Sequence, residues 1–193
     1  RMGHPVLRQV AQPISDPASP DMKRLLADMI ETMEDAEGTG LAAPQVYAPL
    51  RAVVYYVSAG RAGKDKPAVP LTCLINPIIT PIGEEIAYDW EGCLSVPDMV
   101  GVVPRPTRIR LQAETPDGGS IDEHYDGFHA RVLQHECGLL YTSDAADDLH
   151  YVELGGRRTI KNTHTACYHI PRFRRPLRPS HLSMPCRFSS LSD

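Results

Sequence analysis

Residues 134–141 read QHECGLLY, and within them His135 and Glu136 set an imidazole beside a carboxylate. On a helix, a histidine repeated four residues on would place two nitrogen donors on one face, within reach of a single ion. The glutamate between them would act as base for a bound water. Here the fourth residue on is Leu139, which has no donor to offer. A soft donor stands elsewhere, at Cys93 in EGCLSVP, residues 91–97. Thiolate, imidazole and carboxylate together are what a metal-dependent hydrolase uses: ligands for the ion and a base for its water. A third stretch, GTGLAAPQV, residues 38–46, has glycines that let backbone approach a ligand, and Gln45 brings an amide N–H that could face a developing oxyanion. Each stretch also has a plain alternative. Cys93 alone reads as a small buried hydrophobe, His-Glu is a common dipeptide, and GTGLAAPQ alone reads as a helix stop followed by a packing loop.

The elements that must position these residues are legible. Ser19-Pro20-Asp21 reads as a helix start: a capping hydroxyl, a proline suited to the first turn and an acid that complements the helix dipole. Met22, Leu25, Leu26, Met29, Ile30 and Met33 then recur at helical spacing, a stripe read as core, until Gly38-Thr39-Gly40 stops the helix. RAVVYYV (51–57), TCLINPIIT (72–80), EEIAYDW (84–90) and TRIRLQAET (107–115) are β-branched or alternating runs bounded by Pro and Gly, and read as strands. Pro116-Asp117-Gly118-Gly119 reads as a turn joining the last of them to a hairpin partner, SIDEHY, while GRAGKDKP (60–67) has the composition of a flexible loop. A second helix is expected around 127–137. In it Phe128, Val132, His135 and Glu136 share one side, so the polar pair should be buried against the sheet. This order argues an α+β fold with a largely antiparallel sheet.

The chain's 193 residues and 42% hydrophobic content suit one domain with a real core. A net charge of −4 and 6% aromatic residues suggest neither a basic nucleic-acid face nor a stacking platform. No apolar run approaches the ~20 residues of a membrane span, and the N-terminal stretch lacks a signal-peptide core. A cytoplasmic protein is therefore expected, and the start at Arg1-Met2 leads to the expectation of a fragment that continues upstream. The five cysteines are odd in number and form no CxxC pair, so reduced thiols are expected.

Taken together, in this order and at these separations, GTGLAAPQ, EGCLS and QHE resemble the three signature motifs of the peptide deformylase family, which removes the N-terminal formyl group from nascent bacterial and organellar proteins. The resemblance begins at MGHPVLR, where the family usually has an acidic residue in place of His4, and runs to Cys137. It implies mostly antiparallel sheets packed on a central catalytic helix, while the aperiodic arginine, proline and serine from Tyr168 onward lead to the expectation of an irregular or disordered C-terminal tail. It implies Cys93 and His135 as ligands of a divalent metal, ferrous iron first and zinc, nickel or cobalt otherwise. Glu136 would be the general base and acid, with Gln45 and the backbone N–H of Leu94 holding the oxyanion. Thr39, Gly40 and Gly92 would line a strand-like groove for the substrate, and Phe128 and Val132 would help to form its methionine pocket. The implied partners are formyl-methionyl nascent peptides at the ribosome exit, met by a monomer in the bacterial cytoplasm with no direct nucleic-acid specificity and no membrane attachment.

The sequence departs from the family where HExxH should end, at Leu139. No other histidine is an evident substitute: His4, His124 and His129 read as surface residues, and those downstream fall in an aperiodic tail. Cys137 lies on the wrong side of the helix. From about residue 138 the acidic excess gives way to a basic one, and LLYTSDAADDLHYVELGGRRTIKN (139–162) looks like translated adapter sequence. The expected organisation is a deformylase-like domain over 1–137, cut within its catalytic helix, and a non-family tail over 138–193, chimeric or out of frame. Weak metal binding and poor or absent turnover follow, with a catalytically inactive peptide-binding module as the alternative.

Overall fold

The computed structural model describes residues 4–62 and 66–141, together with the backbone of 150–153. Helix α1 (Pro20–Asp35) starts where the sequence places it, with the Ser19 hydroxyl accepting from the Met22 N–H at 3.3 Å. Such a cap is worth about 1 kcal/mol. Met22, Leu26, Met29 and Met33 are buried along one stripe, each worth about 1.5–3 kcal/mol over an exposed position. The helix ends through Glu37 in the left-handed region (φ 53°), and the Gly38 N–H returns to the Met33 carbonyl at 2.9 Å.

That stripe packs on one face of a five-stranded antiparallel sheet, ordered β1 (Gly40–Ala42), β2 (Ala52–Val57), β3 (Val69–Pro81), β6 (Arg108–Glu114) and β7 (Ser120–Asp126). Side chains alternate across a strand, so β2 serves two cores. Ala52 and Val54 join Met29 and Met33 under α1, whereas Val53, Tyr55 and Val57 join Leu133, Cys137 and Leu140 under helix α3 (Gly127–Tyr141). Burial on both faces explains why AVVYYV has no polar alternation.

The remaining strands, β4 (Ile86–Cys93), β5 (Val96–Pro106) and β8 (His150–Glu153), form a second, three-stranded antiparallel sheet. The prolines of β5 hid it from sequence reading. Pro104 and Pro106 have no N–H to donate, and they lie past Val102, where the pairing of β5 with β8 ends.

Several boundaries move. The strand expected to end at Trp90 runs on to Cys93, a short helix α2 (Ala59–Ala62) opens the expected loop, and α3 continues past Cys137 to Tyr141 with Leu139 and Leu140 buried. Residues 150–153, expected to be irregular, form β8 on the edge of β5. Most of the expected tail lies outside the described residues. His129 is not a surface residue: it is half-buried between Tyr55 and Tyr125, with the Tyr55 hydroxyl 3.0 Å from its Nε2. Burial holds its pKa below the usual histidine range.

Candidate functional site

Glu91 and Cys93 lie two apart on β4 and share a face, while Arg131 and His135 lie one turn apart on α3. The two pairs meet. Glu91 Oε2 receives the Nδ1–H of His135 at 2.9 Å and a guanidinium nitrogen of Arg105 at 3.0 Å. Its Oε1 receives Arg131 at 2.7 Å and the Arg105 Nε–H at 3.1 Å. Arg131 also donates to the carbonyls of Val103 and Ala87, which ties α3 to both strands of the hairpin. Burial alone would raise the Glu91 pKa, but the hydrogen bonds from His135 and Arg105 outweigh it and bring the carboxyl to about 2. His135 is the mirror case: burial would lower its pKa, while hydrogen bonds to Cys93 and Glu91 and the charge of Glu136 raise it to about 10.

Gln45 reaches the same place from the other sheet. It sits on the single 3-10 turn Ala43–Val46 that follows β1. Its Oε1 accepts the Ala42 N–H at 2.8 Å, which turns its Nε2 outward to donate to Ser95 Oγ at 3.1 Å and to Cys93 Sγ at 3.6 Å. Leu94, the residue after Cys93, is 38% exposed.

Glu136 is buried, and its Oε2 has no hydrogen-bond partner. Burial raises its pKa to about 7. Its carboxyl fills the space where a side chain on residue 40 would stand: a Cβ on Gly40 would fall 2.4 Å from Oε1. Gly40 is thus required by close approach rather than by backbone conformation.

These groups line one cleft of about 610 Å³. One wall carries Gly38, Thr39 and Gly40, the other Trp90 to Leu94, and the floor Phe128, Val132, His135 and Glu136. Strands β1 and β4 are both edge strands of their sheets, so the cleft opens between two edges able to pair with an extended chain. Arg61 stands at the rim, where it donates to Thr39 Oγ1 at 2.8 Å.

All the candidates named from sequence, Cys93, His135, Glu136, Gln45, Leu94, Thr39, Gly40, Gly92, Phe128 and Val132, border this cleft. Reading the sequence missed Glu91, Arg105, Arg131 and Ser95. For Glu91 the signal was hidden by ending the strand at Trp90: because β4 runs on to Cys93, the two residues two apart come to share a face. Arg131 likewise lies four residues before His135 on a helix.

The donor set does not fit a closed metal site. Among the described residues no group of three His, Cys, Asp or Glu is arranged to hold an ion. Cys93 and His135 are adjacent, but the position one turn beyond His135 is Leu139, 5% exposed and part of the same apolar cluster as Val132 and Leu133. Also among the described residues, no helix is long and apolar enough to cross a membrane.

Residues 1–149 match the family model described as polypeptide deformylase. The chain is 47% identical over 145 residues to peptide deformylase 1 of Nitrosomonas europaea, covering 73% of this chain and 82% of that one. It is 44% identical over 151 residues to peptide deformylase 1 of Bordetella pertussis, covering 76% and 86%. Among solved structures it is similar to a class I type b peptide deformylase from Acinetobacter baumannii bound to Met-Ala-Ser, with a TM-score of 0.71 and 30% identity, covering 77% of this chain and 95% of that one.

Proposed function

This chain belongs to the peptide deformylase family, and from that premise we propose that its cleft binds the formyl-methionyl end of nascent polypeptides while the family's hydrolysis is impaired by Leu139. The observation that carries the reading is the meeting of Gln45, Cys93, His135 and Glu136 in one cleft between two open sheet edges.

In this proposal the peptide lies extended between β1 and β4. The backbone of Thr39, Gly40 and Gly92 faces it, and Phe128 and Val132 surround its methionine side chain. Gln45 Nε2 and the Leu94 N–H take the formyl oxygen as charge develops on it, a role in which loss of one donor costs ~10² to 10³ in rate. The tethering of Gln45 Oε1 supports its part, because a donor already aimed needs no reorganisation. Glu136, with a pKa of about 7, can both take and return a proton near neutrality. The binding of Met-Ala-Ser by the Acinetobacter protein supports the choice of ligand.

The family implies a divalent metal, for which ferrous iron is our first choice. Cys93 and His135 are the ligands this chain retains, and two are too few for the three-ligand site that a catalytic metal needs. The chain is therefore expected to hold metal weakly and to turn over poorly or not at all. Action as a monomer on chains leaving the ribosome, in the bacterial cytoplasm, belongs to the same proposal and is supported by the bacterial sources of its relatives.

The test joins elemental analysis of the purified protein, calorimetric titration with formyl-Met-Ala-Ser, and a formate-release assay. Binding that depends on the formyl group, with substoichiometric metal and little formate, is the expected result. Full turnover with one metal per chain overturns the impairment, and indifference to the formyl group overturns the assignment of the cleft.

A further inference from the structure

A second hollow, of about 320 Å³, shares no lining residue with the cleft. It opens where the β6–β7 ladder ends, at the pair Arg108 with Asp126, and α3 begins. Its wall carries Lys66, Arg108, His124 and His129, four side chains able to donate hydrogen bonds to an anion, against one carboxylate, Asp126. Glu123, the next carboxylate back along β7, accepts from the Tyr125 hydroxyl at 3.0 Å and does not line the hollow.

The charges of this wall are not balanced within it. Asp126 pairs with Lys66, whose ammonium has three N–H donors and so keeps two. Arg108 is charged at any ordinary pH, yet among the described residues its guanidinium makes no hydrogen bond or ion pair. Arg110, two residues on along the same strand, shows the contrast: Asp122 takes it by two hydrogen bonds, of 2.6 and 2.5 Å. The Nε2 of His129 is met by the Tyr55 hydroxyl at 3.0 Å, which leaves its Nδ1 without a partner among the described residues. The rest of the wall is apolar or aromatic, formed by Pro67, Val69, Ile82 and the Tyr125 ring.

We infer that this hollow is a binding site for a phosphate monoester of a small aromatic or apolar alcohol. Two fixed cations and two imidazoles offer more donors than the two oxygens of a carboxylate need, and they suit a phosphate, with its three free oxygens and a charge near −2. The volume far exceeds what a bare inorganic anion fills and stands at the lower end of the range for small organic ligands. The apolar side of the wall is where the ester group lies, against the Tyr125 ring and Pro67. Nothing in this assignment depends on the reading of the cleft.

The test titrates the full chain calorimetrically at low salt with phenyl phosphate, benzoate, inorganic phosphate and phenol. Phenyl phosphate should saturate one site and bind roughly ten-fold tighter than each of the other three. Arg108→Ala should weaken it roughly ten-fold. Arg110→Ala makes the same change of charge on the same strand and should alter binding by less than about two-fold. Both arginines are exposed, so both variants should melt as the parent does. A readout that needs no variant is acetylation of the unmodified chain: phenyl phosphate should slow modification of Lys66 several-fold and leave the exposed Lys23 of α1 unchanged. Absence of saturable phenyl phosphate binding, equal loss in Arg110→Ala, or an unprotected Lys66 overturns the site. Benzoate or inorganic phosphate binding as tightly as the ester overturns the class of ligand.

Discussion

The carboxyl of Glu136 lies so close to the backbone of Gly40 that a Cβ there would fall 2.4 Å from Oε1 and 2.6 Å from the carboxyl carbon. A strand edge and a helix side chain thus occupy one another's space, with glycine as the condition.

Gly40→Ala should therefore cost about 1–3 kcal/mol, as overpacking of a tight site does. Gly60→Ala is the control, since nothing lies within 4 Å of a Cβ there. Thermal melts should show Gly40→Ala lower by several degrees and Gly60→Ala unchanged or slightly higher. Equal melting temperatures would remove the steric argument.

Glu136 makes stability fall with rising pH. Its folded pKa of about 7 exceeds the ordinary 4.5, so the folded state holds the proton more tightly. The benefit is complete below about pH 4.5 and is lost as pH rises through about 7. At about 1.4 kcal/mol per pKa unit this is roughly 3 kcal/mol for a fully buried carboxyl. Glu136→Gln should flatten that part of a denaturation profile and be more stable than the parent at pH 8. An unchanged slope would mean that the carboxyl finds a partner in solution.

Glu91 works in the opposite direction. Its pKa of about 2 lies below the ordinary 4.5, so its contribution is present above about pH 4.5 and is lost as pH falls toward 2. Glu91→Gln would leave Arg131 and Arg105 without their carboxylate, a loss of about 3–5 kcal/mol for a buried network. The exposed Arg110–Asp122 pair on the β6–β7 hairpin is the comparison, and Asp122→Asn should scarcely move the urea midpoint. Similar shifts for both would contradict the role given to burial.

Leu139→His tests the missing ligand. A histidine four residues after His135 faces the same side of α3, and Leu139 is packed in the cluster that includes Cys93. The variant should retain close to one zinc or iron per chain after dialysis, where the parent retains little. Parity of metal content between the two would show that the leucine is not what limits the site.

Much of this was readable in advance, for identifiable reasons. The methionine stripe of α1 and the alternating or doubly buried strands declare themselves through period, because each element buries one face or two in a fixed rhythm. The cleft residues were legible only in combination: the cysteine, the glutamine and the His-Glu pair each have a plain alternative, and it is their order and separations that resemble the family's motifs. Strand β5 was not, because its prolines argue against a ladder unless the partner strand is known to stop short. Nor was His129, whose place between Tyr55 and Tyr125 depends on how β2, β7 and α3 converge. Glu91 stood in the quoted EGCLSVP and was passed over because its importance lies in what α3 brings to it.

The amide of Gln45 has one end held by Ala42 and the other by Ser95 and Cys93. Ala42 lies on β1, Cys93 on β4 and Ser95 in the turn that follows it, so a single side chain spans the gap between the two sheets. An asparagine there, one methylene shorter, would have to release one end or draw the walls together. The same amide is therefore a brace between the two walls of the cleft.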